Sequence, residues 1–206
     1  MIGTDAIVVE LDTSCGLARV HLHPVAEPVA ALVLGHGAGG GVAAPDLLAV
    51  TKVAHAAHVS VALVEQPYRV AGRRSPPRAP ILDAGWVAVV AQLCEGPLAG
   101  LPLIVGGRSS GARVACRTAV ATGATAALCL AFPLVAPSGL SRQQELDDAS
   151  VSVLVVQGAS DRFGIPEPAA SRSVVVVRGD HGLKSDLPGL REAVASWLMV
   201  ILARVA

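Results

Sequence analysis

The chain has 206 residues, with sixteen basic and sixteen acidic side chains and a formal net charge of zero. A balanced charge gives no electrostatic footprint for a nucleic-acid partner or an anionic membrane surface. The length fits a single domain, residues 1–206, that can bury roughly 70% of its unfolded surface; with 52% hydrophobic but only 2% aromatic residues, its core must be built from Ala, Val and Leu.

Cys15, Cys94, Cys116 and Cys129 are scattered without a Cys-x-x-Cys pair. The last three lie in apolar runs and read as buried free thiols rather than disulfides. The first residues show no basic-then-apolar leader, and the late apolar run at 197–203 is too short to cross a bilayer, so a cytoplasmic location is expected.

Residues 6–11 and 18–22 read as short strands joined by a hairpin turn over 12–16. His21 and His23 then share one face of the second strand, a spacing that metal ligands use, but no third ligand is nearby and no metal is expected. Residues 29–34 form a continuous apolar strand, the mark of a sheet covered on both faces. It leads into Gly35-His36-Gly37-Ala38-Gly39-Gly40-Gly41 and then a helix with Pro45 in its first turn and Asp46 near the positive end of its dipole. That helix runs to about His58, placing His55 and His58 three apart and facing solvent. Residues 60–64 are the next buried strand, and the β-α-β order predicts a parallel sheet.

Residues 65–80 are polar and basic, with Arg69, Arg73, Arg74 and Arg78 among prolines, and read as a long surface loop whose Arg69 is a candidate anion-recognising group. A helix over 81–93 carries Trp86, Val89, Val90 and Leu93 on one face. After the strand at 103–105 and a helix reaching about residue 122, residues 126–132 are again a buried strand. Residues 133–150 form a loop with one short helix, where Ser141 and Gln144 have the spacing of a capping box. This is the one place for a lid, and it is too short for a lid domain. Strands at 151–157 and 173–177 follow, and a helix over 187–203 closes the chain with a stripe of Leu190, Val194, Trp197, Leu198 and Ile201.

The chemistry concentrates after three of these strands. Gly107-Arg108-Ser109-Ser110-Gly111 fits Gly-x-Ser-x-Gly between a strand and a helix, a turn so tight that its serine is held out above the sheet edge beside the helix's positive end. An ordinary glycine-rich turn whose serine caps the helix would read the same way locally. The later turns supply the rest: Asp161 in Gly158-Ala159-Ser160-Asp161-Arg162-Phe163-Gly164, and His181 in Arg178-Gly179-Asp180-His181-Gly182. Acyl transfer needs a nucleophile, a base for its proton, an orienter for that base and donors for the developing oxyanion. Ser109, His181 and Asp161 take the first three roles. Asp180 is the rival acid, but neighbouring loop residues rarely place a carboxylate on the next imidazole.

The loop after residue 35 has two readings. Gly35-x-Gly37-x-x-Gly40 fits a dinucleotide-binding pattern, with Glu65 at the distance of a ribose-binding acid. Against that, two strands precede the supposed first strand, the helix begins several residues beyond the third glycine, and the serine, aspartate and histidine are left without a role. As an oxyanion hole, the same loop offers the N–H groups of Gly37 and Ala38 opposite that of Ser110. His36, which would orient the loop, Arg108 and Arg69 are the candidate substrate-binding residues, while Arg113 is expected to pair within the fold.

With these motifs in order, the chain resembles the α/β-hydrolase superfamily, and in particular its small lidless bacterial branch near the dienelactone hydrolases. The resemblance rests on Gly-His-Gly-Ala-Gly-Gly, Glu-Gln-Pro-Tyr-Arg-Val-Ala-Gly-Arg-Arg, Gly-Gly-Arg-Ser-Ser-Gly-Ala-Arg, Gln-Gly-Ala-Ser-Asp-Arg-Phe-Gly and Gly-Asp-His-Gly-Leu-Lys, spanning residues 34–184. It departs at Ser109, where dienelactone hydrolases carry Cys, and at Arg162, where relatives often have Pro. It implies one α/β-hydrolase domain: a mostly parallel sheet with an antiparallel N-terminal strand or hairpin, helices on both faces and no lid domain. It further implies a serine hydrolase acting on a small-molecule ester or thioester with no metal or organic cofactor. The branch's eukaryotic relatives include a chromatin-complex subunit, so a non-catalytic interaction protein on the same fold is the alternative.

Overall fold

In the computed structural model, which describes residues 6–205, the apolar runs become one eight-stranded sheet. Its strands are β1 (Ile7–Thr13), β2 (Gly16–His23), β3 (Ala30–Gly35), β4 (Val59–Glu65), β5 (Leu103–Arg108), β6 (Ala126–Leu130), β7 (Ser152–Gly158) and β8 (Arg172–Val177). They lie in the order β1-β2-β4-β3-β5-β6-β7-β8. The pairs β1–β2 and β2–β4 are antiparallel and all the others parallel. The N-terminal hairpin is thus an antiparallel edge on a parallel sheet, as its two short alternating strands predict.

The parallel strands must be covered on both faces, because their side chains are apolar on both. Helices α3 (Ala79–Glu95), α4 (Ser110–Thr118) and the short α5 (Gln143–Asp147) cover one face; α1 (Pro45–Ala56) and α6 (Leu187–Val205) cover the other. Strand β3 shows the division residue by residue: Ala31 and Val33 join the core under α3 and α4, whereas Ala30, Leu32 and Leu34 join the core under α1 and α6. That alternation is the two-residue period of a strand. The stripe Leu190, Val194, Trp197, Leu198 and Ile201 is buried along α6, and Trp86, Val89, Val90 and Leu93 are buried along α3. Among the described residues no helix is long and apolar enough to cross a membrane.

Four local expectations are revised. Residues 65–80 are not all surface loop. Pro67, whose fixed φ suits a first helical turn, starts the single turn α2 (Pro67–Val70), and Gln66, Pro67 and Tyr68 are buried. The spacing of Ser141 and Gln144 makes no capping box: Ser141 Oγ accepts the N–H of Gln143, and the Gln144 amide instead donates to Asp148 Oδ1 at 2.7 Å. His58 lies beyond the end of α1 with φ of 55°, and His55 is half-buried, its Nε2 donating to the carbonyl of His23 at 3.0 Å. Cys94 is half-buried, whereas Cys116 and Cys129 are fully buried thiols with their sulfurs 3.3 Å apart.

Candidate active site

Strands β3, β5, β7 and β8 all run in one direction, so the turns that follow them meet at one edge of the sheet. Ser109 directly follows β5, with φ of 52° and ψ of −107°, a left-handed conformation that a non-glycine residue adopts only when its surroundings enforce it. Its backbone N–H is tied to the carbonyl of Leu130 at 2.8 Å, and α4 begins at the next residue. The two motif glycines allow the turn to close. A Cβ at Gly107 would stand 2.5 Å from the carbonyl oxygen of Gly35 and 2.7 Å from the backbone of Gly111, and one at Gly111 would collide with Gly35 in return.

Ser109 Oγ lies 3.0 Å from His181 Nε2, and His181 Nδ1 lies 2.8 Å from Asp161 Oδ2. The carboxylate therefore fixes the tautomer: Nδ1 carries the proton, and the Nε2 lone pair faces the serine hydroxyl. The Asp161 side chain is 0% exposed, and its Oδ1 accepts the N–H of Phe163 at 2.9 Å. The Phe163 ring meets the imidazole edge-on at 4.7 Å between centroids, with the Arg162 guanidinium 4.8 Å above the phenyl ring. Asp180 is turned away, its Oδ1 accepting the N–H of Gly182 at 2.8 Å.

The loop after β3 is held from several sides. His36 is buried, with Nδ1 2.8 Å from the carbonyl of Gly37 and Nε2 3.2 Å from the N–H of Gln66. These partners need a neutral ring that donates through Nδ1 and accepts at Nε2. Burial, with the nearby charge of Arg69, holds the imidazole below its ordinary pKa against the opposing bond to Gly37. Tyr68 donates its hydroxyl to the carbonyl of Ala38 at 3.0 Å, and its ring stands 5.7 Å from that of His36. Burial pushes the Tyr68 phenol up to about 12, so it remains a donor across the physiological range. The N–H groups of Gly37 and Ala38, and that of Ser110 at the first position of α4, meet no acceptor among the described residues. The backbone at Gly37 stands against the serine, whose Cβ an added methyl there would meet at 3.7 Å.

Arg108 is drawn into the fold rather than left facing a ligand. Its Nη2 donates to the carbonyl of His181 at 2.8 Å, and its Nε lies 2.8 Å from Asp46 Oδ2. That contact is an ion pair without a well-directed hydrogen bond, since Asp46 Oδ2 has no hydrogen-bond partner. Asp46 is 1% exposed, and its burial raises its pKa more than Arg108 lowers it. Arg69 sits on α2, half-buried, with Nη1 3.3 Å from the carbonyl of Arg73. Of the three candidate substrate-binding residues, His36 and Arg108 therefore support the loops around the serine, and Arg69 lies on the neighbouring turn. Arg113 pairs within the fold as expected, gripping Glu145 with Nε at 2.8 Å and Nη2 at 2.6 Å.

The glycine loop does not have the form of a dinucleotide site. Helix α1 begins at Pro45, well beyond Gly40, and Glu65 is occupied by His21 at 3.1 Å and Arg19 at 3.9 Å. His21 and His23 do share a strand face, but among the described residues no three metal-binding side chains gather there or elsewhere.

The family model described as "Alpha/beta hydrolase domain" matches residues 28–187. The chain belongs to the α/β-hydrolase family. Solved structures agree at the level of fold. This α/β-hydrolase superposes on Est1E from Butyrivibrio proteoclasticus with a TM-score of 0.78 at 15% identity, over 95% of this chain and 99% of that one. XC6422 from Xanthomonas campestris, described as an α/β serine hydrolase without lid, gives 0.76 at 16% identity over 96% and 95%. A dienelactone hydrolase from Anabaena variabilis gives 0.77 at 16% over 95% and 97%. The resemblance to lidless and dienelactone-type hydrolases therefore extends to the architecture. No curated protein sequence matches the chain significantly.

Proposed function

We propose that this α/β-hydrolase is a serine hydrolase that cleaves a small ester or thioester through an acyl-enzyme. The observation that carries the reading is the unbroken chain from Ser109 Oγ through His181 to Asp161, at 3.0 and 2.8 Å, on a strained turn. In the mechanism, Ser109 Oγ attacks the carbonyl carbon while its proton passes to His181 Nε2. The N–H groups of Ser110 and of Gly37 or Ala38 receive the developing oxyanion. Asp161 stabilises the imidazolium, which then protonates the departing alcohol or thiol. Water, deprotonated by the same imidazole, attacks the acyl-serine and regenerates the free hydroxyl.

A fluorophosphonate probe tests the reading directly, since it reacts with a serine only when that serine is activated. The expected result is stoichiometric labelling at Ser109, abolished in Ser109→Ala together with turnover of p-nitrophenyl acetate, while Ser110→Ala is still labelled and active. No labelling of the wild type, with no turnover of short esters or thioesters, would overturn the proposal and favour a non-catalytic interaction protein.

A further inference from the structure

Behind Asp161 lies a polar side chain that no step of the proposed mechanism uses. Gln157, near the end of β7, is 0% exposed. Its Nε2 stands 2.8 Å from Asp161 Oδ2, 3.0 Å from the carbonyl of Phe132 and 2.9 Å from that of Gly164. Its Oε1 is buried without a hydrogen-bond partner. The orientation of this amide is set by chemistry: turned over, its oxygen would face two carbonyls and a carboxylate, three acceptors with no hydrogen between them. A residue filling space alone would carry no such polar orphan, and methionine has nearly the same shape without one.

We infer that Gln157 is a positioning residue for the Asp161–His181 pair, fixing the carboxylate oxygen that faces the imidazole. Asp161 Oδ2 receives two hydrogen bonds, from Gln157 Nε2 and His181 Nδ1, each 2.8 Å long. Oδ1 receives the Phe163 N–H. These three donors replace the water that a wholly buried carboxylate has lost, and they leave it one orientation. Gln157 supplies the side-chain donor that is not itself part of the proton path. By also reaching Phe132, just after β6, and Gly164, at the end of the acid turn, it joins the loop that carries Asp161 to the neighbouring strand. The inference rests on the serine-hydrolase reading above.

Two substitutions test it, with p-nitrophenyl acetate as substrate. Gln157→Met removes the donor and keeps the volume; kcat should fall roughly tenfold or more with KM close to wild type, the scale of a lost hydrogen bond to a charged group. On an Asp161→Asn background the same substitution should add little further loss, because its effect passes through Asp161. Gln157→Glu keeps the glutamine's shape, so it carries the test even if the methionine variant does not fold. Its titratable neighbours are Asp161 and, through it, His181; its other contacts are the backbone carbonyls of Phe132 and Gly164. Two carboxyls at that separation hold one proton between them, and the protonated one still donates to Asp161. Activity should therefore hold while that proton is retained and fall as it leaves, giving kcat a descending limb at higher pH that the wild type lacks. A Gln157→Met kcat within twofold of wild type, a fully additive loss on the Asp161→Asn background, or a Gln157→Glu profile with no descending limb would overturn the inference. Ser109→Ala, measured alongside, separates the two failures. Turnover that survives it overturns the hydrolase reading and this inference with it; turnover that it abolishes but Gln157 substitutions leave untouched overturns the inference alone.

Discussion

Asp161 Oδ2 stands 2.8 Å from His181 Nδ1 across twenty positions of chain, whereas Asp180, the residue next to His181, directs its carboxylate to the N–H of Gly182. Adjacent residues on a turn point their side chains apart, and a carboxylate arriving on a different strand's turn can approach the ring in its plane. The two acids are therefore distinguishable by experiment.

Asp161→Asn should leave the imidazole in the wrong tautomer and lower kcat by about 10⁴-fold, the size of the corresponding serine-protease change. Asp180→Asn should cost far less, because the asparagine oxygen can still accept the N–H of Gly182 and the side chain makes no hydrogen bond to His181. Steady-state kinetics of the two Asn variants under identical conditions decide the matter. A crippled Asp180→Asn beside an active Asp161→Asn would reverse the assignment.

Much of this arrangement was legible in the sequence, for physical reasons. Buried parallel strands are continuous apolar runs, and a serine between two glycines after such a run forces the tight turn seen at Ser109. The order Ser109, Asp161, His181, each just beyond a strand, places all three on one edge once the strands are parallel. What escaped reading were the supports. Tyr68 meets Ala38 thirty positions away, and Arg108 meets the carbonyl of His181 at a separation of 73. Nothing periodic marks such contacts, because a polar side chain inside an irregular turn looks the same whether it faces solvent or a distant carbonyl. The arginines of residues 65–80 mark a surface loop, although the Gln66-Pro67-Tyr68 at their start is buried. Pro-Tyr directly after a buried strand was the available signal.

Glu145 makes a second testable centre, away from the serine. It accepts Arg113 at 2.8 and 2.6 Å and Arg117 at 3.0 Å, and Arg117 in turn grips Asp83 on α3 at 2.8 and 2.6 Å. This network pins α5 and α3 to the helix that follows the nucleophile. Burial pushes the Glu145 carboxyl up, but the two guanidiniums outweigh it and hold the pKa below its ordinary value of 4.5. A depressed folded value means stabilisation that is present above the ordinary pKa and lost as pH falls through the folded one. Glu145→Gln should therefore lower stability at neutral pH by roughly 2–3 kcal/mol. The gap between variant and wild-type melting temperatures should close in acid. A gap that stays constant with pH would assign the effect to shape rather than charge.

The elbow glycines offer a sharper stability test. Gly107→Ala would drive a methyl group into backbone atoms of Gly35 and Gly111, which cannot move without opening the turn. The expected cost exceeds about 3 kcal/mol and could prevent folding altogether. Gly39→Ala, in the neighbouring loop, meets nothing within 4 Å and should melt close to wild type. Thermal unfolding of the pair separates tight packing at the elbow from a general intolerance of substitution near the site.

Substrate size follows from what surrounds Ser109. The cavity beside Ser110, bounded by Gly35, His36, Tyr68, Leu82 and Val114, holds only about 10 Å³. A concavity of about 930 Å³ between β8 and α6 contains none of Ser109, Asp161 or His181. The segment over 133–150 is tied down by Glu145 and by Asp147, which meets Arg172 at 2.7 Å. Where an apolar tunnel receives an acyl chain, each buried methylene contributes about 0.8 kcal/mol, and specificity climbs with chain length. Here the concavity beside Arg108 and Gly182, about 400 Å³, is lined by Gly40, Gly41, Asp46 and Lys184 and by no large apolar side chain, so additional methylenes would gain little. The value of kcat/KM for p-nitrophenyl esters should therefore fall from acetyl or butyryl towards palmitoyl. A rate that increases with chain length, or jumps when long-chain lipid is emulsified, would mean that an apolar channel opens beside Ser109 and that the segment over 133–150 moves to form it.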